Sequence, residues 1–207
     1  IVVSGGAPGA LSITGISDNR SSYSGSQVPQ YSKFEVTFQV QGSVAGNYQL
    51  PYDPNPPSGI SPSNNPLHKG ISVDGLFTPD NWTTVYRQPA FYYQGYDDQV
   101  KTGPDGQSHE WHYPNGTSGW KVRFAPDRAG AWQYRIQAQD AGGSVQSTAS
   151  SVQVVASSSK GFVRVSSRDK RYFEFDDGSL FIPQGLNMGA YLDDPALAFK
   201  LLLGQDV

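Results

Sequence analysis

Three groups of residues in this chain have types and spacings that could do chemistry. His109-Glu-Trp-His112 sets two imidazoles three residues apart, the start of a metal-ligand pattern. A metal site needs three or four converging ligands. His68 is the one other histidine, so a solvated loop is the default reading and no metal is expected. Asp53, Asn55, Asp97, Asp98 and Asp105 form the second group, in turn-rich stretches. Asp-Pro-Asn and Asp-Gly are turn formers first. Oxygen-rich loops also suit Ca²⁺, but no regular ligand spacing accompanies them; structural calcium stays a minor alternative, and no other cofactor is expected.

The third group is aromatic: Trp82, Tyr86, Phe91, Tyr92, Tyr93, Tyr96, Trp111 and Tyr113. Aromatic faces stack on the apolar C–H faces of sugar rings, so exposed Trp and Tyr suit a carbohydrate-binding surface. In Phe91-Tyr-Tyr93 alternate side chains point opposite ways on a strand, which turns at least one outward. The carbohydrate-binding candidates are Trp82, Tyr92, Tyr93, Tyr96 and Trp111. The competing role for all of them is packing, as caps of a core or as a docking patch for a neighbouring domain.

Other chemistries lack their residues. The absence of Cys excludes disulfides, thiol catalysis and thiolate metal sites. There is no Gly-rich phosphate loop, no His-Glu-x-x-His and no Gly-x-Ser-x-Gly. A net charge of −3 provides no field for nucleic acid or an anionic membrane. No apolar run reaches the roughly 20 residues that span a bilayer. A monomer with no nucleic-acid and no membrane partner is expected. Ile1 reads as the start of a processed or trimmed chain.

The elements that must position these residues are strands. Trp120, Val122 and Phe124 alternate with Lys121 and Arg123; after Pro126-Asp-Arg-Ala-Gly130, Trp132, Tyr134, Ile136 and Ala138 alternate with Gln133, Arg135 and Gln137. Period two means one dry face and one wet face. The two runs predict an antiparallel pair about a turn, with Trp120 and Trp132 in the core. Further strands are predicted over 11–16, over 33–41 with Phe34, Val36, Phe38 and Val40 on one face, over 70–78, over 82–96 with an edge or bulge at Pro89, and over 144–155. Residues 17–30 read as loop. Residues 47–66 hold six prolines, too many for a central strand, and read as a surface excursion. Residues 97–118 are polar and Gly-rich and read as a long loop.

Ala156-Ser-Ser-Ser-Lys160 is a Ser-rich joint. Beyond it, 162–165 reads as a short strand, and 171–175 with 179–182 as a hairpin across Asp177-Gly178. Pro195 to Leu203 has helical spacing, with Asp193 or Asp194 as N-cap. This predicts two domains, 1–156 and 157–207.

Several spaced blocks carry a resemblance: Tyr31-Ser-Lys-Phe-Glu-Val-Thr-Phe38, Pro51-Tyr-Asp-Pro-Asn55, Phe77-Thr-Pro79, Pro89-Ala-Phe-Tyr-Tyr-Gln94, Gly119-Trp-Lys-Val-Arg-Phe-Ala-Pro126 and Ala129-Gly-Ala-Trp-Gln-Tyr134. Over about residues 11–156 the chain resembles a β-sandwich domain of unknown function that precedes (β/α)₈ barrels in bacterial glycoside-hydrolase-like proteins. Tyr172-Phe-Glu-Phe175 and Asp177-Gly-Ser-Leu-Phe-Ile-Pro-Gln-Gly-Leu-Asn187 resemble the lead-in hairpin and first strand of such a barrel.

The resemblance implies a mainly β fold: an immunoglobulin-like or jelly-roll-like antiparallel β-sandwich, then a β-hairpin and the first strand and helix of a truncated (β/α)₈ barrel. It implies a secreted or cell-surface, non-catalytic accessory domain of a carbohydrate-active protein, bracing the barrel or helping substrate binding. Its partners would be its own C-terminal barrel and a polysaccharide. Asn187 would belong to the barrel cleft. Two-carboxylate hydrolysis would use residues of later barrel strands, beyond Val207. A stand-alone carbohydrate-binding module and an immunoglobulin-like adhesion or spacer module are the alternatives.

Overall fold

Alternating apolar side chains produce strands across the chain, and in the computed structural model, which describes residues 10–184, these assemble into three sheets. The strands are β1 (Ser12–Asp18), β2 (Val28–Pro29), β3 (Phe34–Gln41), β4 (Ser72–Thr78), β5 (Tyr86–Pro89), β6 (Phe91–Thr102), β7 (Ser108–Phe124), β8 (Gly130–Asp140), β9 (Gly143–Gln146), β10 (Ser150–Val155), β11 (Val163–Val165), β12 (Phe173–Phe175) and β13 (Leu180–Phe181). The first sheet runs β1-β3-β7-β6. The second runs β2-β10-β8-β4-β5, with β9 also paired to β8. The third, small sheet is β11-β12-β13. The expected helix at 195–203, Asn187 and the first barrel strand lie outside the described residues.

The two large sheets share one apolar core. Phe34, Val36, Phe38, Trp120 and Val122 come from the first; Val73, Phe77, Trp132, Tyr134, Ile136, Ala138, Val152 and Val154 come from the second. Phe34 meets Tyr134 edge-on at 5.3 Å, and Phe77 stacks on Phe124 at 4.3 Å. Each such large side chain contributes about 1.5–3 kcal/mol by burial. Gly75 faces the other sheet at close range. A Cβ there would lie 2.7 Å from the Phe77 ring and 2.9 Å from Val122, so glycine is what lets β4 approach β7.

Trp120 and Trp132 are both in the core, as the alternation predicts, at 3% and 1% exposure. Their strands are not a hairpin. β7 pairs with β3 and β6, while β8 pairs with β4, β9 and β10. The chain between them crosses from one sheet to the other. Alternation reports that a strand has a dry face; it does not report which strand takes its edge. The Trp132 indole N–H donates to the Arg128 carbonyl at 3.0 Å and fastens this crossover.

Residues 97–118 are not a loop. They lie largely in β6 and β7, which pair from Phe91↔Lys121 to Thr102↔Ser108 with a register shift between Gln94 and Tyr96. Backbone pairing holds this arm; most of its distal side chains are exposed, with His109, Trp111 and Tyr113 half-buried along one face of β7. Asp97 and Asp98 are therefore strand residues rather than turn residues, and His109 and His112 stand on β7.

The predicted strand at 82–96 is two strands in different sheets. β5 is the outer strand of the second sheet, with Pro89 opposite Asp74, which agrees with the expected edge. The chain changes sheets at Ala90. The expected loop at 17–30 includes β2, whose Val28 is fully buried. β2 runs parallel to β10, so the second sheet is mixed rather than purely antiparallel. The Asp177-Gly178 hairpin forms as expected, with Phe173 opposite Phe181. Across the serine joint, Ser157 Oγ donates to the Gln30 carbonyl at 2.8 Å, and Tyr31 meets Phe162 edge-on at 5.2 Å.

Candidate functional site

The five aromatic candidates do not form a row. Trp82 lies beneath the Arg135 guanidinium, whose Cζ is 4.1 Å from the ring centroid. The Trp82 backbone N–H donates to Thr78 Oγ1 at 2.9 Å, and its φ of +70° holds an unusual left-handed turn. Tyr93 is covered by Lys121 Nζ at 3.7 Å on the outer face of the first sheet. Tyr96 is exposed just past the register shift, and Trp111 stands on the arm opposite Gln99. Cations therefore already occupy the faces of Trp82 and Tyr93. Tyr92 lines a cleft.

That cleft has a volume of about 660 Å³. Six segments of the chain build it. Tyr92 on β6 and Trp120 on β7 are cross-strand neighbours, so their rings share a face. Tyr48, from the proline-rich excursion, closes an aromatic cluster, with centroids 5.4 Å from Tyr92 and 5.9 Å from Trp120. Asp74 of β4, Arg87 of β5, and Gln137 and Gln139 of β8 also line the cleft.

The excursion is tied to the scaffold. Ile71 N–H donates to the Leu50 carbonyl at 2.9 Å, Tyr52 N–H to Ser72 Oγ at 3.0 Å, and Gly46 N–H to the Lys69 carbonyl at 2.9 Å. Gly70 permits this approach, because a Cβ there would lie 2.4 Å from both the Leu50 and Pro51 carbonyl oxygens.

Carboxylates withdrawn from water separate site from scaffold. Asp140 accepts from Ser43 Oγ and from the Val44 and Gly142 amides, at 2.7, 2.9 and 2.8 Å. Asp18 accepts from Arg20 and from Tyr134 Oη at 2.8 Å. Glu35 faces Arg123 at 2.6 Å, Lys121 at 3.5 Å and Lys33 at 3.9 Å. All three are bound by several donors. Asp74 has one partner among the described residues, Arg87, whose Nη1 donates to Oδ2 at 2.8 Å. Burial pushes the Asp74 carboxyl above the usual Asp value, and Arg87 opposes the shift without cancelling it. A desolvated carboxyl in a cleft with a perturbed pKa is a mark of function.

The remaining polar atoms of the cleft are amides and hydroxyls. Gln137 Oε1 accepts from Gln146 Nε2 at 3.1 Å. The Trp120 indole nitrogen is buried without a hydrogen-bond partner. Rings, an ion pair and amides lining one cleft suit a polyhydroxylated ligand. Asp74 is the single acid lining the cleft, so the carboxylate pair of glycoside hydrolysis is not assembled there.

The other sequence candidates resolve into local pairs. His112 bonds Asp98 at 2.6 Å and His109 bonds Asp105 at 2.8 Å, and the register places the two histidines on opposite faces of the arm. Among the described residues no group of three or more His, Asp or Glu could hold a metal ion. Asp53 Oδ1 accepts from the Asn55 amide at 2.8 Å, which is turn chemistry. Sequence reasoning missed Tyr48, Asp74, Arg87, Gln137 and Gln139. One signal was present: Asp74 interrupts the apolar run Ile71-Ser-Val-Asp-Gly-Leu-Phe77.

No protein-family model and no curated protein matches the sequence. Among solved structures, the chain is similar to a Bacteroides vulgatus protein proposed to be a glycoside hydrolase, at 16% identity and a TM-score of 0.39. The match covers 77% of this chain and 22% of that one, so the chain spans about a fifth of its length. Among the described residues no helix is long and apolar enough to cross a membrane.

Proposed function

We propose that the two large sheets form a β-sandwich accessory domain of a secreted carbohydrate-active protein, and that the domain holds a glycan in the Tyr48–Tyr92–Trp120 cleft without cleaving it. The observation that carries this is the cleft itself: aromatic rings, one ion-paired carboxylate and the amides of Gln49, Gln137 and Gln139 line one space. Glycan affinity comes from stacking and hydrogen bonds, and hydrolysis would need a second carboxylate. The domain boundary falls at Ala156, in the serine joint.

The third sheet supports a bracing role toward a barrel partner. Val163, Val165, Phe173 and Leu180 are exposed there, on strands too short to form a stable unit alone, and Ile182 is exposed just past β13. Apolar surface of this kind suits docking.

Affinity electrophoresis in gels cast with soluble neutral and acidic polysaccharides tests the cleft. The chain should be retarded by at least one polymer. Tyr92→Ala should abolish the retardation and Trp82→Ala should leave it unchanged, with native circular dichroism in both and no reducing sugar released. Retardation that survives Tyr92→Ala, or none with any polymer, refutes the proposal. The second outcome would favour an adhesion or spacer module.

A further inference from the structure

We infer that the cleft selects uncharged pyranosides and that Asp74 and Arg87 form a two-point grip on adjacent sugar hydroxyls; this rests on the glycan-binding reading above. The pair presents unused capacity side by side. Asp74 Oδ2 is taken by Arg87 Nη1, while Oδ1 has no partner among the described residues. Arg87 carries five N–H donors in a planar fork and spends one on Asp74. An acceptor beside a donor matches a vicinal diol, which can donate from one hydroxyl and accept at the next.

Charge sets the class of sugar. Asp74 and Arg87 are the only charged side chains lining the cleft. Their charges cancel, and Arg87 is already paired. A uronate or sulfated sugar would bring its anion against Asp74 with no unpaired cation to receive it. A neutral sugar meets no such repulsion.

The aromatic part of the lining supplies the stacking surface. Tyr48 and Tyr92 are partly exposed, at 37% and 42%, and Trp120 lies behind them. The Trp120 side chain is 3% exposed and its N–H lacks a partner, so a donor stays unsatisfied in the wall. The volume of about 660 Å³ falls inside the range of ~300–1,000 Å³ usual for small-ligand sites. It suits a short stretch of a glycan chain rather than a flat crystalline surface. Asp74 must be ionised to accept at full strength. Since burial favours its neutral form, binding weakens on acidification before an ordinary Asp would protonate.

The test uses the full chain in affinity gels or calorimetry with galactomannan, xyloglucan and mixed-linkage β-glucan against polygalacturonate and alginate. At least one neutral polymer should bind, and neither uronate polymer should. Asp74→Asn and Arg87→Met should each weaken neutral binding about tenfold, the loss of a charge-assisted hydrogen bond. Arg87 is half exposed, so its substitution leaves folding intact even if Asp74→Asn does not. Binding confined to the uronates overturns the inference. So does neutral binding that both variants retain but Tyr92→Ala loses, an outcome that leaves the cleft reading standing. Failure of every polymer to bind removes the cleft reading and the grip together.

Discussion

Tyr134→Phe removes one hydroxyl and tests how the core is joined to the first strand. The ring stays, so its packing against Phe34 and Phe77 is kept. What is lost is the bond from Tyr134 Oη to Asp18 Oδ2 at 2.8 Å. Arg20 still holds Asp18 through Nε and Nη2, so no charge is orphaned. A hydrogen bond to a charged group is worth about 1.5–3 kcal/mol, and the lower half of that range applies. For a domain of this size, that lowers Tm by about 3–8 °C. Urea unfolding followed by Trp fluorescence should show a lower midpoint with an unchanged m-value.

The pH dependence sharpens the test. Burial pushes Asp18 up, but the bonds from Arg20 and Tyr134 outweigh it and hold its pKa below the usual value. The stabilisation is present above the ordinary Asp pKa of about 3.9 and is lost as pH falls through the folded value. Tyr134 itself is pushed up to about 12, by burial and by the Asp18 carboxylate, so it remains a donor through neutral pH. The gap between wild type and variant should therefore shrink from pH 7 to pH 2. Equal midpoints at pH 7, or a gap that does not change on acidification, would refute the reasoning.

Three further outcomes are expected. Gly75→Ala forces a methyl between Phe77 and Val122 and should destabilise by about 1–3 kcal/mol in chemical denaturation. Gly70→Ala drives the Leu50–Pro51 backbone off β4; by the same overpacking it should lose about 1–3 kcal/mol and also weaken glycan retention in affinity gels, whereas Gly75→Ala molecules that remain folded should still bind. Glu174 is held down to about 2 by the Ser167 amide, Ser166 and Arg168. Its contribution to the third sheet is present above the ordinary Glu pKa and lost as pH falls through about 2; carboxyl NMR titration should give a value far below about 4.3, the ordinary one.

Much of the core was legible in the sequence. Phe34, Val36, Phe38, Trp120, Val122, Trp132, Tyr134 and Ile136 are buried where period-two alternation places them. The Asp177-Gly178 hairpin followed from turn chemistry, and the edge at Pro89 from the missing N–H donor. The arm at 97–118 read as a loop because its composition is polar and Gly-rich, and its one patterned face, His109, Trp111 and Tyr113, is only half-buried. Among the proposed sugar contacts only Tyr92 reaches the cleft, since exposure and aromatic type do not say which cations already cover a ring.

The sequence by itself determined that the chain is mainly β, which side chains each patterned strand hides, and that thiol chemistry is absent. These are local properties: a two-residue period needs only neighbours, and a missing residue type needs no structure. Tertiary structure decided that β7 and β8 belong to different sheets, because strand partners are chosen by edges far apart in sequence. It also decided the cleft. Tyr48, Asp74, Arg87, Tyr92, Trp120 and Gln137 lie on separate segments and share no local pattern. They converge because the chain changes sheets at Ala90 and the proline-rich excursion folds back onto β4 over Gly70.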